Sequence, residues 1–336
     1  MSTAVARGFG WIAIVRLGLV QAAIGAIVML ATSLLNRVMV VEYALAAAIP
    51  AGLVAWHYAV QLARPLWGHG SDRGRKRTPW IGGGMAVLAG GALLAVRATT
   101  LMPGSALVGG VLAVAAFAMI GFGVGAAGTS MLALLASGVR PERRAAAAAV
   151  TWTMMIAGIV IAAGVAGALL DPFSEARLTA VAGSIALAAL GVALIAIWRL
   201  EPTNPVDFSD KHSSDAPGFA EALREIMQET AARRFTVLIF VSMLAYSMQD
   251  LILEPFAGLV FGMTPGESTS LSGMQHGGVL IGMIVAGVGG SAFAGRLPTD
   301  LRLWIVAGCA GSGLALAGLA MAAIAGPGWP LTANVF

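Results

Sequence analysis

Tyr246, Gln249, Asp250 and Glu254 fall at i, i+3, i+4 and i+8 inside an otherwise apolar run, so a helix through 235–260 places them on one stripe of one face. Charge is expensive there: an acidic side chain at mid-bilayer costs about 2.5 to 3.5 kcal/mol. The stripe must therefore face protein or water rather than lipid. Arg37, beside Asn36 near the far end of the first apolar run, keeps its charge and needs a carboxylate, a phosphate or water nearby. Asp250 and Glu254 are its expected partners. Paired with Arg37 they would be structural; sharing a site without it, they would repel one another and act as a proton carrier.

A second polar stripe is formed by His57, Gln61 and Arg64 at i, i+4 and i+7, ending at a membrane surface where Arg64 can snorkel. His57 lies deeper. A neutral imidazole is a good donor to a metal or to the magnesium of a chlorin, and the competing reading is a buried, hydrogen-bonded histidine. The same two readings apply to His276.

The elements that carry these residues are membrane spans. Hydrophobic residues make up 58% of the chain and charged ones 11%, with a mean hydropathy of +0.87, which excludes a soluble domain. Crossing a core of about 30 Å takes roughly 20 residues. Nine apolar segments are long enough: 17–41, 44–66, 80–97, 106–134, 146–169, 178–198, 235–260, 272–294 and 303–325. The expected fold is an all-α polytopic bundle. The early apolar run from Trp11 is interrupted by Arg16 and is too long for a signal peptide, so it reads as an uncleaved first span.

Charge in the connections sets the expected orientation. Arg73, Arg75, Lys76 and Arg77 follow the second segment, Arg140, Arg143 and Arg144 the fourth, and a further basic group from Arg199 to Arg234 the sixth. The alternate loops hold little beyond Arg97 and Arg177. The N-terminus is thus expected on the cytoplasmic side, and topology accounts for the net charge of +4. No nucleic-acid partner is expected. Cys309, the single cysteine, is expected as a small packed core residue.

The longest polar interval divides the chain into a six-helix half at 1–199, a linker at 200–234 and a second half at 235–336. In the linker, Phe219, Leu223, Ile226 and Met227 repeat at helical spacing, which suits an amphipathic helix on the membrane surface or a solvated linker helix. The halves echo one another. Asn36-Arg37 is followed by Glu42 and Gln249-Asp250 by Glu254, while His57 and His276 each lie in the second segment of a half. Gly123-Val124-Gly125-Ala126-Ala127-Gly128 matches a dinucleotide fingerprint in letters only, since no strand precedes it. No H-E-x-x-H, nucleophile elbow, Walker A or cysteine cluster occurs, and no enzyme is expected.

Gly68-His69-Gly70-Ser71-Asp72-Arg73-Gly74-Arg75-Lys76-Arg77 resembles the loop signature of the major facilitator superfamily, one residue short between Asp72 and Gly74; the other reading is a basic cytoplasmic turn. Leu35-Asn36-Arg37-Val38-Met39-Val40-Val41-Glu42, Arg77-Thr78-Pro79-Trp80-Ile81, Met248-Gln249-Asp250-Leu251-Ile252-Leu253-Glu254-Pro255-Phe256 and Met263-Thr264-Pro265-Gly266-Glu267 look like one branch of that superfamily. The branch is the PucC and LhaA family of bacteriochlorophyll-delivery and light-harvesting assembly factors.

That resemblance implies a major-facilitator-like bundle in the inner, intracytoplasmic membrane of a phototrophic bacterium, in contact with membrane lipid. It implies bacteriochlorophyll as cargo, and antenna polypeptides, the reaction centre or bacteriochlorophyll synthase as partners. Asn36, Arg37, His57, Gln61, Gln249, Asp250, Glu254 and His276 become the candidate pigment or substrate site, with His57 or His276 on magnesium and no free metal or nucleotide. Gly68, Asp72, Arg73, Gly74 and Arg75 become a conformational gate. The family has twelve helices and this chain reaches Phe336 after nine, so the second half is expected to be incomplete. Two other functions remain open: a proton-coupled transporter of a small amphipathic or anionic solute, and a chaperone that binds antenna helices through small-residue surfaces without touching pigment.

Overall fold

The computed structural model describes residues 9–64, 67, 76–201, 224, 227–292 and 301–336. The expected gate residues Gly68, Asp72, Arg73, Gly74 and Arg75 lie outside these, as does most of the amphipathic pattern around 219–227.

Regular structure among the described residues is helical throughout. In chain order the helices are α1 Trp11–Glu42, α2 Ala48–Val60, α3 Thr78–Leu101, α4 Ala106–Gly138, α5 Arg144–Leu169, α6 Glu175–Ile197, α7 Thr230–Phe261, α8 Pro265–Ala292, α9 Leu301–Ala325 and the short α10 Leu331–Val335. Among the described residues, α1, α3, α4, α5, α6, α7 and α9 are long and apolar enough to cross a membrane. The two other expected segments are helical as well. α2 runs on into a single 3-10 turn at Gln61–Ala63, and the first half of α8 is rich in Ser, Thr, Gln and His. The chain is an all-α, multi-pass membrane bundle.

From Val20 to Val40, α1 is largely apolar and buried on nearly every side, which is the pattern of a helix surrounded by protein. It packs on α5 and α6, α3 packs on α4 and α6, and α2 lies against α4. Small residues let these helices touch at the backbone. A Cβ on Gly123 of α4 would sit 2.7 Å from the Gly84 carbonyl of α3, and a Cβ on Gly84 would sit 2.6 Å from the Ala127 nitrogen. The second group of helices joins the first through α8 against α5 and through α7 against the far end of α1. α10 turns back so that Leu331 and Val335 pack with Leu253, Ala257, Leu271 and Ala322.

Two expectations need correcting. Cys309 is exposed on α9 rather than packed, because the faces around it have no neighbouring helix among the described residues. α8 begins at Pro265 rather than at 272. Its first turns are too polar to register as apolar, yet they are fixed by a capping box: the Glu267 amide donates to Thr264 Oγ1 at 3.2 Å and the Thr264 amide donates to Glu267 Oε2 at 2.9 Å.

Candidate functional site

The far end of α1 is not a regular helix. π turns at Leu30–Leu34 and Val38–Glu42 flank a single α turn, Leu35–Arg37, so the residues between them are turned toward α7. Asn36 and Arg37 are both buried there. Asn36 Nδ2 donates to the Leu251 carbonyl at 2.6 Å. That carbonyl is available because Pro255, four residues on within α7, has no N–H to offer it.

Arg37 makes two contacts. Nη1 pairs with Glu42 Oε1 at 2.6 Å, and Nη2 donates to the Met263 carbonyl at 2.6 Å. The expected ion pair with Asp250 or Glu254 is therefore replaced by one within α1. The Val38–Glu42 π turn brings Glu42, five residues on, to the guanidinium, and the α7–α8 connection supplies the other acceptor. That connection is shaped by Gly262 at φ +67, whose amide donates to the Gly258 carbonyl in an αL end to α7, with the Met263 amide donating to the Ala257 carbonyl. Gly258 keeps α7 close to α1, since a Cβ there would meet Val41 at 2.8 Å and Arg37 Nη2 at 3.4 Å.

A third clasp lies beside these. Asp171, between α5 and α6, accepts from Thr264 Oγ1 at 2.6 Å and from the Gly266 amide at 3.1 Å, placing a carboxylate at the positive end of the α8 dipole. Tyr43 donates to Glu175 Oε1 at 3.1 Å, and burial, then the Glu175 carboxylate, push its phenol above the ordinary value. The two groups of helices are thus bound together at the end where α1 finishes.

Deeper along α7, Asp250 and Glu254 part company. Glu254 is fully buried and accepts from Thr269 Oγ1 of α8 at 3.2 Å. Asp250 faces His276: Oδ1 lies 3.6 Å from Nε2, and the Tyr246 ring stands edge-on to the imidazole at 6.4 Å between centroids. The other imidazole nitrogen, Nδ1, is 2.9 Å from the Ser272 carbonyl. A carbonyl only accepts, so Nδ1 carries a proton, and Nε2 is the nitrogen turned to the Asp250 carboxyl. A proton between these two groups satisfies both, and a metal centre in its place would do the same. Gln249, on the same stripe, is half-buried.

His57 differs. It is buried on α2, and its Nε2 is 2.8 Å from Gln61 Nε2, while Gln61 Oε1 accepts from Arg64. The Gln61 amide therefore donates to His57 Nε2 and occupies its lone pair. The two histidines echo each other in sequence, but only His276 turns a ring nitrogen to a carboxyl group, while His57 Nδ1 is buried without a partner among the described residues.

Sequence reasoning missed Glu42 as the partner of Arg37, and it missed the polar face of α8. Ser268, Thr269, Ser272, Gln275 and His276 fall at i, i+1, i+4, i+7 and i+8 and are all buried. Their spacing was a readable signal, lost by starting α8 at 272.

The chain as a whole is similar to known proteins. It is 52% identical over 312 residues to the "Bacteriochlorophyll synthase 44.5 kDa chain" of Rhodobacter capsulatus, covering 91% of this chain and 70% of that protein. It is 31% identical to "Protein PucC" of Cereibacter sphaeroides over 89% of this chain and 66% of the relative. An uncharacterized protein of the puhA-bchM intergenic region of Rhodobacter capsulatus is 33% identical over 81% of this chain and 59% of its own length. The chain therefore spans between 59% and 70% of the length of these relatives. The PUCC protein family model matches residues 34–334, which takes in Asn36, Arg37, His57, Asp250, Glu254 and His276, and the chain belongs to that family.

Proposed function

We propose that this protein handles bacteriochlorophyll during assembly of light-harvesting complexes, holding the pigment between α7 and α8 and passing it to antenna polypeptides. The observation that carries this reading is His276, whose Nδ1–H is fixed by the Ser272 carbonyl and whose Nε2 faces Asp250. With Nε2 unprotonated, such an imidazole would ligate magnesium, a backbone carbonyl fixing the ring from behind. The family membership and the names of the relatives support the pigment chemistry. Asp250 would orient the ligand, the Tyr246 ring would flank the macrocycle, and the clasps of Arg37, Asn36 and Asp171 would keep the site closed at one end. The proposed setting is the inner membrane, with the N-terminus on the cytoplasmic side where the basic connections gather. Affinity purification from a phototrophic host tests it: antenna polypeptides and pigment should co-purify, and a colourless, client-free but folded protein would contradict it.

A second reading is favoured by the 3.6 Å approach of Asp250 to His276, one helical turn from buried Glu254. These groups suit a proton-coupled transporter of a small amphipathic or anionic solute. It requires proton-driven uptake into proteoliposomes that is lost in Asp250→Asn, whereas pigment handling requires no such flux.

A further inference from the structure

Arg37 and Glu254 each hold one buried polar atom that nothing satisfies. Arg37 uses Nη1 on Glu42 and Nη2 on the Met263 carbonyl, while its third donor group, Nε, has no acceptor among the described residues. Glu254 accepts from Thr269 Oγ1 on Oε2, while Oε1 has no donor, and no basic side chain pairs with this carboxyl group among the described residues. Both side chains are buried. A buried donor without an acceptor and a buried acid without a cation are each unfavourable, and each supplies what the other lacks.

The two groups are neighbours on facing helices. Leu251, Glu254 and Gly258 fall at i, i+3 and i+7, one face of α7. Asn36 of α1 binds the Leu251 carbonyl, and Arg37 Nη2 would lie 3.4 Å from a Cβ on Gly258. Glu254 therefore stands between two places where α1 touches α7, and the guanidinium lies one helical turn beyond it, about 6 Å along the axis. That distance is within the sweep of a long, flexible side chain.

The pairing that Arg37 makes rests on irregular backbone. Residues five apart lie about 140° apart around an α-helix, and only the Val38–Glu42 π turn carries Glu42 back to the guanidinium. The Glu42 side chain is 27% exposed, so water can replace Arg37 there, whereas Glu254 has no access to water. Glu254 and Met263 lie on opposite sides of Gly258 along the chain. A guanidinium that moves toward Glu254 must let go of the Met263 carbonyl, so its choice of partner decides whether α1 holds the α7–α8 connection.

We infer that Arg37 is an exchangeable latch with two carboxylate partners: on Glu42 it holds the α7–α8 connection through the Met263 carbonyl, and on Glu254 it neutralises the buried acid of α7 and frees that connection. The latch is a two-state element with one cation shared between two acids. It is independent of the pigment proposal at His276.

The test is backbone hydrogen exchange in mild detergent, read at the Gly262 and Met263 amides in the parent, Glu42→Gln, Glu254→Gln and the double variant. Both substitutions keep the side-chain shape, and an amide at 254 keeps an acceptor for Thr269, so all four proteins should fold, as size-exclusion chromatography will show. Glu42→Gln should send Arg37 to Glu254 and speed exchange at both amides by about tenfold. Glu254→Gln should leave Arg37 held on Glu42 and slow exchange below the parent, the reverse of what loss of a merely structural buried group does. In the double variant the speeding caused by Glu42→Gln should largely disappear, because Arg37 has no second acid to move to. Unchanged exchange in Glu42→Gln, equal speeding with and without Glu254, or faster exchange in Glu254→Gln alone would each overturn the inference.

Discussion

Asn36 and Pro255 form two parts of one hydrogen-bonding arrangement across α1 and α7. Pro255 removes the donor that the Leu251 carbonyl would have within α7, and Asn36 Nδ2 replaces it at 2.6 Å. Asn36→Ala should therefore leave a buried carbonyl unpaired and lower stability by about 1 to 3 kcal/mol. Pro255→Ala restores the helical donor, so the double substitution should recover much of the loss. Thermal unfolding in mild detergent reads both; an Asn36→Ala loss untouched by Pro255→Ala would show that the bond is not what Asn36 provides.

Arg37 and Glu42 should be coupled. Breaking a buried ion pair by removing one partner costs about 3 to 5 kcal/mol, and less is expected here because the Glu42 side chain is 27% exposed. Arg37→Met should also release the Met263 carbonyl and loosen the α1 to α7–α8 contact. Glu42→Gln should cost less than Arg37→Met, and the double variant less than the sum of the two. Strict additivity in unfolding measurements would sink this pairing.

The α8 start gives a third prediction. Thr264→Ala removes the helix cap and the donor to Asp171 together, with a cost of about 1 kcal/mol for the cap alone. Thr264→Ser keeps both functions and should behave as the parent. Hydrogen exchange at the Gly266 and Glu267 amides should rise in the alanine variant and stay protected in the serine variant.

Much of the bundle was legible because each span is a long apolar run, and length with composition identifies such runs without tertiary information. The site was legible only in parts. Asp250, Glu254 and His276 stood out as polar groups in costly places, but the partner of each depended on which helices meet. Arg37 shows why. Helical reasoning pairs residues three or four apart, whereas Glu42 is five away and is reached through a π turn that no residue type announces. The two histidines looked equivalent in sequence. Their neighbours separate them, since Gln61 caps one ring nitrogen and the Ser272 carbonyl orients the other ring.

Packing of α3 on α4 should be intolerant of volume. Gly123→Val has no room beside the Gly84 carbonyl, and overpacking costs about 1 to 3 kcal/mol. Gly128→Ala on the same helix meets nothing within 4 Å and should be neutral. Comparable loss of folded yield from both substitutions, followed by size-exclusion chromatography, would contradict this account of the contact.

Asp250→Asn tests the polar side of the pigment reading. An amide at this position can donate to His276 Nε2 and occupy its lone pair, so pigment retention should fall further than in Asp250→Ala, which leaves the nitrogen free. The opposite order, read from pigment-to-protein ratios after purification, would mean that the carboxylate itself is the ligand.

The most direct measurement is the near-infrared absorption spectrum of the protein purified from a phototrophic host as parent, His276→Ala and His57→Ala. Bacteriochlorophyll bound to the parent and to His57→Ala, and lost from folded His276→Ala, is the predicted result. Equal pigment in all three proteins, or loss in His57→Ala alone, would contradict the assignment of His276 as the ligand.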